Sequence, residues 1–245
     1  MSTLNTVVVT GADRNLGLEI CREYLKKGWV VYAGKFIQEL SYLEEMQKDY
    51  PDTLHIVTMD VSSLESLQKA AATIAESTKV IDAIVHNAAV FGGGSGTFGE
   101  GYDFTRFYAP YYVNALGAMR LVQAFLPLMQ EGMKRLCFIS SESGVISVSH
   151  RTEPSGYGMS KTALNMALRL MFSQLQPQGY TFRLFHPGWV RSPKIERDGQ
   201  VMEPLRHGKF EPNESAVPAV EQFIESRDWE DRMVLIDNEG AAWPF

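Results

Sequence analysis

The chain has 245 residues, 45% of them hydrophobic, enough for one large α/β domain with a substantial core. A formal net charge of -6 argues against a general nucleic-acid binder or a protein drawn to anionic membranes. The two cysteines make no metal-ligand cluster, the N-terminus has no signal-like apolar segment, and no window reaches a membrane span, which together predict a cytoplasmic protein.

In chain order, the first element is the apolar run LNTVVVT (4–10), which reads as a buried strand. It leads through the turn TGADRNLG (10–17) into a helical pattern at about 16–27. Strand-like runs recur at 29–35, 53–59, 80–86, 135–140, 180–186 and 232–237. Helical patterns lie between them at about 39–49, 63–77, 102–131, 157–176 and 214–226. Ser62, with Glu65 three residues on, reads as a capping box opening the helix at 63. This alternation predicts an α/β fold: a single-domain, Rossmann-type doubly wound parallel sheet of about seven strands with helices on both faces, spanning 1–245. Its sites lie at the carboxyl ends of the strands.

Two segments fall outside this skeleton. FGGGSGTFGEG (91–101) lacks a Lys-Ser/Thr pair and has no helix directly behind it, so it reads as a flap rather than a phosphate cradle. Residues 188–211 are long, charged and aperiodic, which predicts a substrate lid.

The sharpest chemical feature is YGMSKTALNM (157–166). Tyr157 and Lys161 stand four apart, so they project from one face of a helix. Removing a phenol proton at neutral pH costs about 4 kcal/mol. An ammonium ion ~4 Å away at an effective dielectric of ~20 supplies an attraction of similar size. Lys161 thereby makes Tyr157 a usable general acid or base. On spacing alone, an ordinary amphipathic helix with an exposed lysine is the better reading, since Tyr-x-x-x-Lys arises readily by chance.

In the company of other motifs, the chain resembles the short-chain dehydrogenase/reductase family, and more narrowly its small carbonyl-reductase-like, C-factor-like branch. The family's glycine turn is matched by Thr10, Gly11 and Gly17, with Asn15 departing. Its Asn-Asn-Ala-Gly segment is matched by His86-Asn87-Ala88-Ala89, and its helix asparagine by Asn114. Its catalytic serine is matched by Ser141 in ISSESG, its Tyr and Lys by Tyr157 and Lys161, and its Pro-Gly segment by HPGWVRS (186–192). The resemblance implies hydride transfer between a nicotinamide and a carbonyl carbon. Tyr157 would protonate the carbonyl oxygen, Ser141 would hydrogen-bond to it, and Lys161 would lower the tyrosine pKa and hold the ribose. Asn114 would hold a relay water. Ser140 and Ser143 are substitutes for Ser141 if the register is shifted, and Ser143 and Trp189 are expected to touch substrate.

The resemblance also implies a cofactor track along Gly11, Arg14, Asn15, Leu16, Gly17, Lys35, Asp60, Val61, Asn87, Ala88, Tyr157, Lys161, Pro187, Gly188, Val190 and Ser192. The second strand ends in Lys35 without a carboxylate, and Arg14 lies in the glycine turn, so NADP(H) is expected over NAD(H). Asp60 either accepts from the adenine amino group or caps the following helix. No histidine has metal-ligand company, and no metal is expected. The expected function is an NADPH-dependent reductase of a ketone or aldehyde, the alternative a cofactor-binding regulatory protein with little turnover. The helices at about 114–131 and 157–176 carry only narrow polar stripes, which predicts a homo-oligomer, dimer or tetramer, formed through them.

Overall fold

The computed structural model describes residues 4–92, 98–150, 155–195, 200–203, 208–226 and 230–244. The β-branched run Thr6–Val9 forms β1, buried on both faces, and the chain then alternates as the periodicity predicts. After it come α1 (Asn15–Lys26), β2 (Val30–Lys35), α2 (Tyr42–Gln47), β3 (Leu54–Thr58), α3 (Leu64–Ser77) and β4 (Ala83–His86). A short 3-10 turn (Phe104–Phe107) precedes α4 (Tyr108–Pro110), a π-helical turn (Tyr111–Ala115) and α5 (Leu116–Phe125). The second half adds β5 (Arg135–Ile139), α6 (Ser155–Leu175), β6 (Thr181–His186), β7 (Lys194–Ile195), β8 (Val201–Glu203), α7 (Pro212–Ile224), β9 (Leu235–Asp237) and β10 (Ala242–Trp243).

The main sheet runs β10-β9-β6-β5-β4-β1-β2-β3, parallel throughout except for β10, which pairs antiparallel with β9. It has eight strands where about seven are expected, because the two-residue β10 is too short to show a period. Alternate residues of each strand feed two cores. Val8, Tyr32, Ile84 and Phe138 pack under α3, α5 and α6, while Val7, Val9, Val31 and Val85 pack under α1, α2 and α7. The order reverses between β1 and β4, which opens a crevice at their carboxyl ends.

Two expectations are corrected. The cap of α3 is Ser63, whose side chain accepts from the Ser66 amide, so no Ser62–Glu65 box forms. Ser62 instead bonds Asp60, through both its amide and its hydroxyl. The helix expected over 102–131 is five pieces, the last a 3-10 turn at Leu126–Leu128, since Pro110 offers no amide hydrogen and the following turn widens to π geometry. The expected lid at 188–211 contains the antiparallel pair β7–β8 and is closed at its base by a Val190–Phe210 bridge; residues 196–199 and 204–207 lie outside the description, as do 93–97 of the glycine-rich segment. Among the described residues no helix is long and apolar enough to cross a membrane, and no cluster suits a metal ion.

Candidate active site

One cleft of about 1370 Å³ runs along the carboxyl ends of the strands, larger than the roughly 300–1,000 Å³ typical of a drug-sized ligand's pocket. At one end lies the turn between β1 and α1. Gly11 has φ of 61° and Asn15 has φ of 49°, both in the left-handed region. Gly17 is compressed further, since a Cβ there would sit 2.1 Å from the Gly11 carbonyl oxygen. The Asn87 amide donates to the Thr10 and Gly11 carbonyls at 3.2 and 2.9 Å, and the Thr10 hydroxyl accepts from the Asn87 and Ala88 amides. The turn is thereby locked onto the end of β4. No side chain caps α1, so its first-turn amides remain for an anion at a positive helix end.

Asp13 was not singled out in the sequence. Buried behind the turn, it accepts from the Phe36 and Ile37 amides at 3.0 and 2.8 Å and pairs with Arg14 at 3.0 Å. Its position within the turn was the only available signal. Phe36 and Ile37 line the cleft, and Lys35 does not. The expectation for Lys35 is corrected: strand alternation buries it on the opposite side, where it pairs with Glu44 at 2.6 Å. Arg14, Asn15, Leu16, Asp60, Val61, Ala88, Pro187, Gly188, Val190 and Ser192 all line the cleft. Asp60 does not cap α3, and one of its oxygens holds Ser62 at 2.6 Å.

At the far end, α6 presents Tyr157 and Lys161 together. The Lys161 ammonium is buried, donates to the Ile139 carbonyl at 2.9 Å, and lies 5.7 Å from the centre of the Tyr157 ring. Burial lowers its pKa to about 8. Ser141 ends the extended backbone after β5, and its hydroxyl donates to Glu142 at 2.7 Å. Ser143 stands beside them in the cleft. Ser140 is removed as a substitute, because its hydroxyl is turned to Asn165 on α6 at 2.6 Å. Asn165 is buried and also donates to the Gly144 carbonyl, fastening the serine turn to α6.

Asn114 lies in the π turn, fully buried. Its side chain brackets Val90, accepting from the amide at 2.8 Å and donating to the carbonyl at 2.9 Å, and it also donates to Ser160. Its own carbonyl faces His86 Nε2 at 3.3 Å. Burial, with the Lys161 charge second, pushes the His86 pKa down to about 3, so the imidazole is neutral and donates through Nε2. Phe91, Tyr108, Tyr112 and Trp189 line the cleft and are each about half exposed or more. Glu142 and His186 also line it. Apart from Trp189, none of these six was singled out for the cleft, since loops and broken helices carry no period that assigns a face.

The sequence matches the short-chain dehydrogenase family over residues 5–200. The chain belongs to that family. An uncharacterized oxidoreductase of Schizosaccharomyces pombe is 29% identical to this short-chain dehydrogenase over 242 residues, 97% of this chain and 92% of the relative. A short-chain dehydrogenase/reductase of Burkholderia multivorans, solved with bound NADP, superposes with a TM-score of 0.84 at 26% identity, over 99% of this chain and 100% of that one. The NADPH-bound carbonyl reductase from chicken fatty liver shares the fold, with a TM-score of 0.81 at 23% identity, over 99% of each chain. The fold is therefore that of a short-chain dehydrogenase, and the protein is an oxidoreductase.

Proposed function

We propose that the protein is an NADPH-dependent carbonyl reductase with Tyr157 as general acid. The observation that carries this reading is the convergence of Tyr157, Lys161 and Ser141 at one end of the cleft whose other end is the Gly11–Gly17 turn. The tight glycine turn, the uncapped α1 terminus and Arg14 fit a dinucleotide phosphate, and Arg14 favours the 2′-phosphate form. A nicotinamide held there would supply the hydride. Tyr157 then gives its proton to the carbonyl oxygen, Ser141 hydrogen-bonds to the same oxygen, and Lys161 stabilises the phenolate left behind. Asn114 acts by fixing Val90 and the start of α6, through Ser160.

Lys161 gives the reaction a pH dependence of definite sign. Below its pKa of about 8 it is charged and supports the phenolate; above it that support fades. The expected reduction rate therefore falls as pH rises through about 8. Folding stability moves oppositely, because the buried ammonium is a cost that is fully present below about 8 and is relieved as pH approaches the ordinary 10.5. Tyr157→Phe is expected to lower kcat by ~10²–10⁴-fold while leaving NADPH affinity nearly unchanged. Fluorescence titration and NADPH oxidation with a panel of ketones, aldehydes and quinones measure both.

A second reading, a cofactor-binding regulator with little turnover, is favoured by one observation: the Ser141 hydroxyl donates to Glu142. Tight NADPH binding with equal, negligible turnover in wild type and Tyr157→Phe would decide for it.

A further inference from the structure

Phe91 follows β4 and lines the cleft, and its ring packs on that of Tyr157, with centroids 4.8 Å apart and planes tilted by 50°. That spacing lies inside the ~4.5–7 Å range of attractive aromatic pairs. A second link joins the same two residues through the backbone. Val90, the residue before Phe91, donates its amide to Asn114 Oδ1 at 2.8 Å, and its carbonyl accepts from Asn114 Nδ2 at 2.9 Å. Nδ2 also donates to Ser160 Oγ at 2.9 Å, and the Ser160 hydroxyl donates to the Tyr157 carbonyl at 2.7 Å. Asn114 and Ser160 thus tie the backbone that carries Phe91 to the first turn of α6, where Tyr157 stands only partly buried.

We propose that Phe91 is a positioning residue, whose ring holds the Tyr157 phenol in the rotamer that reaches the carbonyl oxygen and stays beside Lys161. This deepens the reductase reading and rests on it. The χ1 rotamers open to a tyrosine on a helix place its hydroxyl several ångströms apart. A general acid has to lie within hydrogen-bond reach of its acceptor, and a misplacement of ~1 Å can cost ~10²-fold in rate. The Lys161 ammonium lies 5.7 Å from the centre of the Tyr157 ring, and a compact charge at that range sets an energy rather than a ring orientation. A tilted ring in contact does set the orientation. The Phe91 side chain has no polar atom, so it packs on the phenol without competing for the hydroxyl hydrogen.

The test compares Phe91→Ala, Phe91→Tyr, Tyr157→Phe and the double variant Phe91→Ala with Tyr157→Phe. Each is assayed for NADPH oxidation with propanal and with 4-nitrobenzaldehyde, and for NADPH affinity by fluorescence. Phe91→Ala is expected to lower kcat about 10- to 100-fold, by the same factor for both aldehydes, with KM and NADPH affinity nearly unchanged. Phe91→Tyr keeps the ring and is expected to recover most of that loss. In the Tyr157→Phe background no phenol hydroxyl remains to be placed, so Phe91→Ala is expected to cost less than about twofold there. A loss confined to KM, a loss with only one aldehyde, or one that persists undiminished in the Tyr157→Phe background overturns the proposal. Crystal structures of the NADP⁺ complexes give a readout independent of turnover. Tyr157 is expected to take more than one rotamer in Phe91→Ala, and a single unmoved rotamer overturns the proposal as well. Absence of wild-type turnover on both aldehydes and across the wider carbonyl panel counts against the reductase reading instead, and the crystal structures still decide the role of Phe91.

Discussion

At the residue scale, the glycine turn shows how one backbone angle admits a departure from a family pattern. Asn15 adopts φ of 49°, a region that asparagine tolerates better than other residues with a Cβ, so the residue type alone foretold that the turn survives. Gly17 has no such latitude, because the Gly11 carbonyl and the Asn87 amide occupy the space a Cβ would take. Asn15→Gly is therefore expected to keep NADPH affinity within about twofold of wild type or improve it, and to leave stability unchanged or raised by ~1 kcal/mol. Fluorescence titration and urea denaturation measure the two quantities. A loss of affinity beyond tenfold would mean that the Asn15 amide itself holds the phosphate. Lys35 marks the limit of residue-level reading: its charge and its place at the end of β2 suggested a phosphate, but which side of the strand end it occupies depends on register against neighbours.

Among the elements, the broken helix ahead of α5 matters most to the site. The sequence from 102 to 131 has continuous helical periodicity, yet the π turn at Tyr111–Ala115 shifts the face on which Asn114 lies. The shift puts its amide within reach of both polar groups of Val90 and of Ser160, a junction between β4's following loop, α5 and α6. Asn114→Ala would leave the Val90 amide and carbonyl without these partners. It is expected to cost ~2–3 kcal/mol of stability and to slow turnover more than it weakens cofactor binding. Thermal unfolding and separate kcat and KM values check this; an unchanged melting temperature would show that Val90 finds other partners. A comparable end-of-element device lies on the far side of the sheet, where buried Arg135 donates to the Phe223 and Ile224 carbonyls and closes the C-terminus of α7. Periodicity marked the helix there but not its cap, since the arginine comes from a strand far away in sequence.

Across the whole molecule, two helices leave apolar surface uncovered. Tyr111 and Met119 on the α5 side, and Met159, Met166 and Leu170 on α6, are each at least 41% exposed. Patches of this kind mark association surfaces. We propose that the homo-oligomer expected from the narrow polar stripes forms through this surface. Leu170→Glu is expected to shift a sedimenting dimer or tetramer toward monomer at micromolar concentration, with melting largely intact. A wild type that sediments as monomer would remove the proposal.

The sequence by itself determined the alternating strand–helix order, the parallel sheet and the residues Gly11, Gly17, Ser141, Tyr157 and Lys161 that meet in one cleft. The strand–helix order follows from local period, which acts over a few residues and needs no partner, whereas the named residues follow from the resemblance of their motifs to the family's pattern. Tertiary structure alone decided that Lys35 belongs to Glu44, that Ser140 belongs to Asn165, and that Asp13 ties the glycine turn to the end of β2. It also decided that Glu142, His186, Phe91, Tyr108 and Tyr112 line the cleft. Each of these depends on which distant backbone group or side chain a polar atom meets once the sheet is assembled, and no periodicity within one segment encodes that meeting.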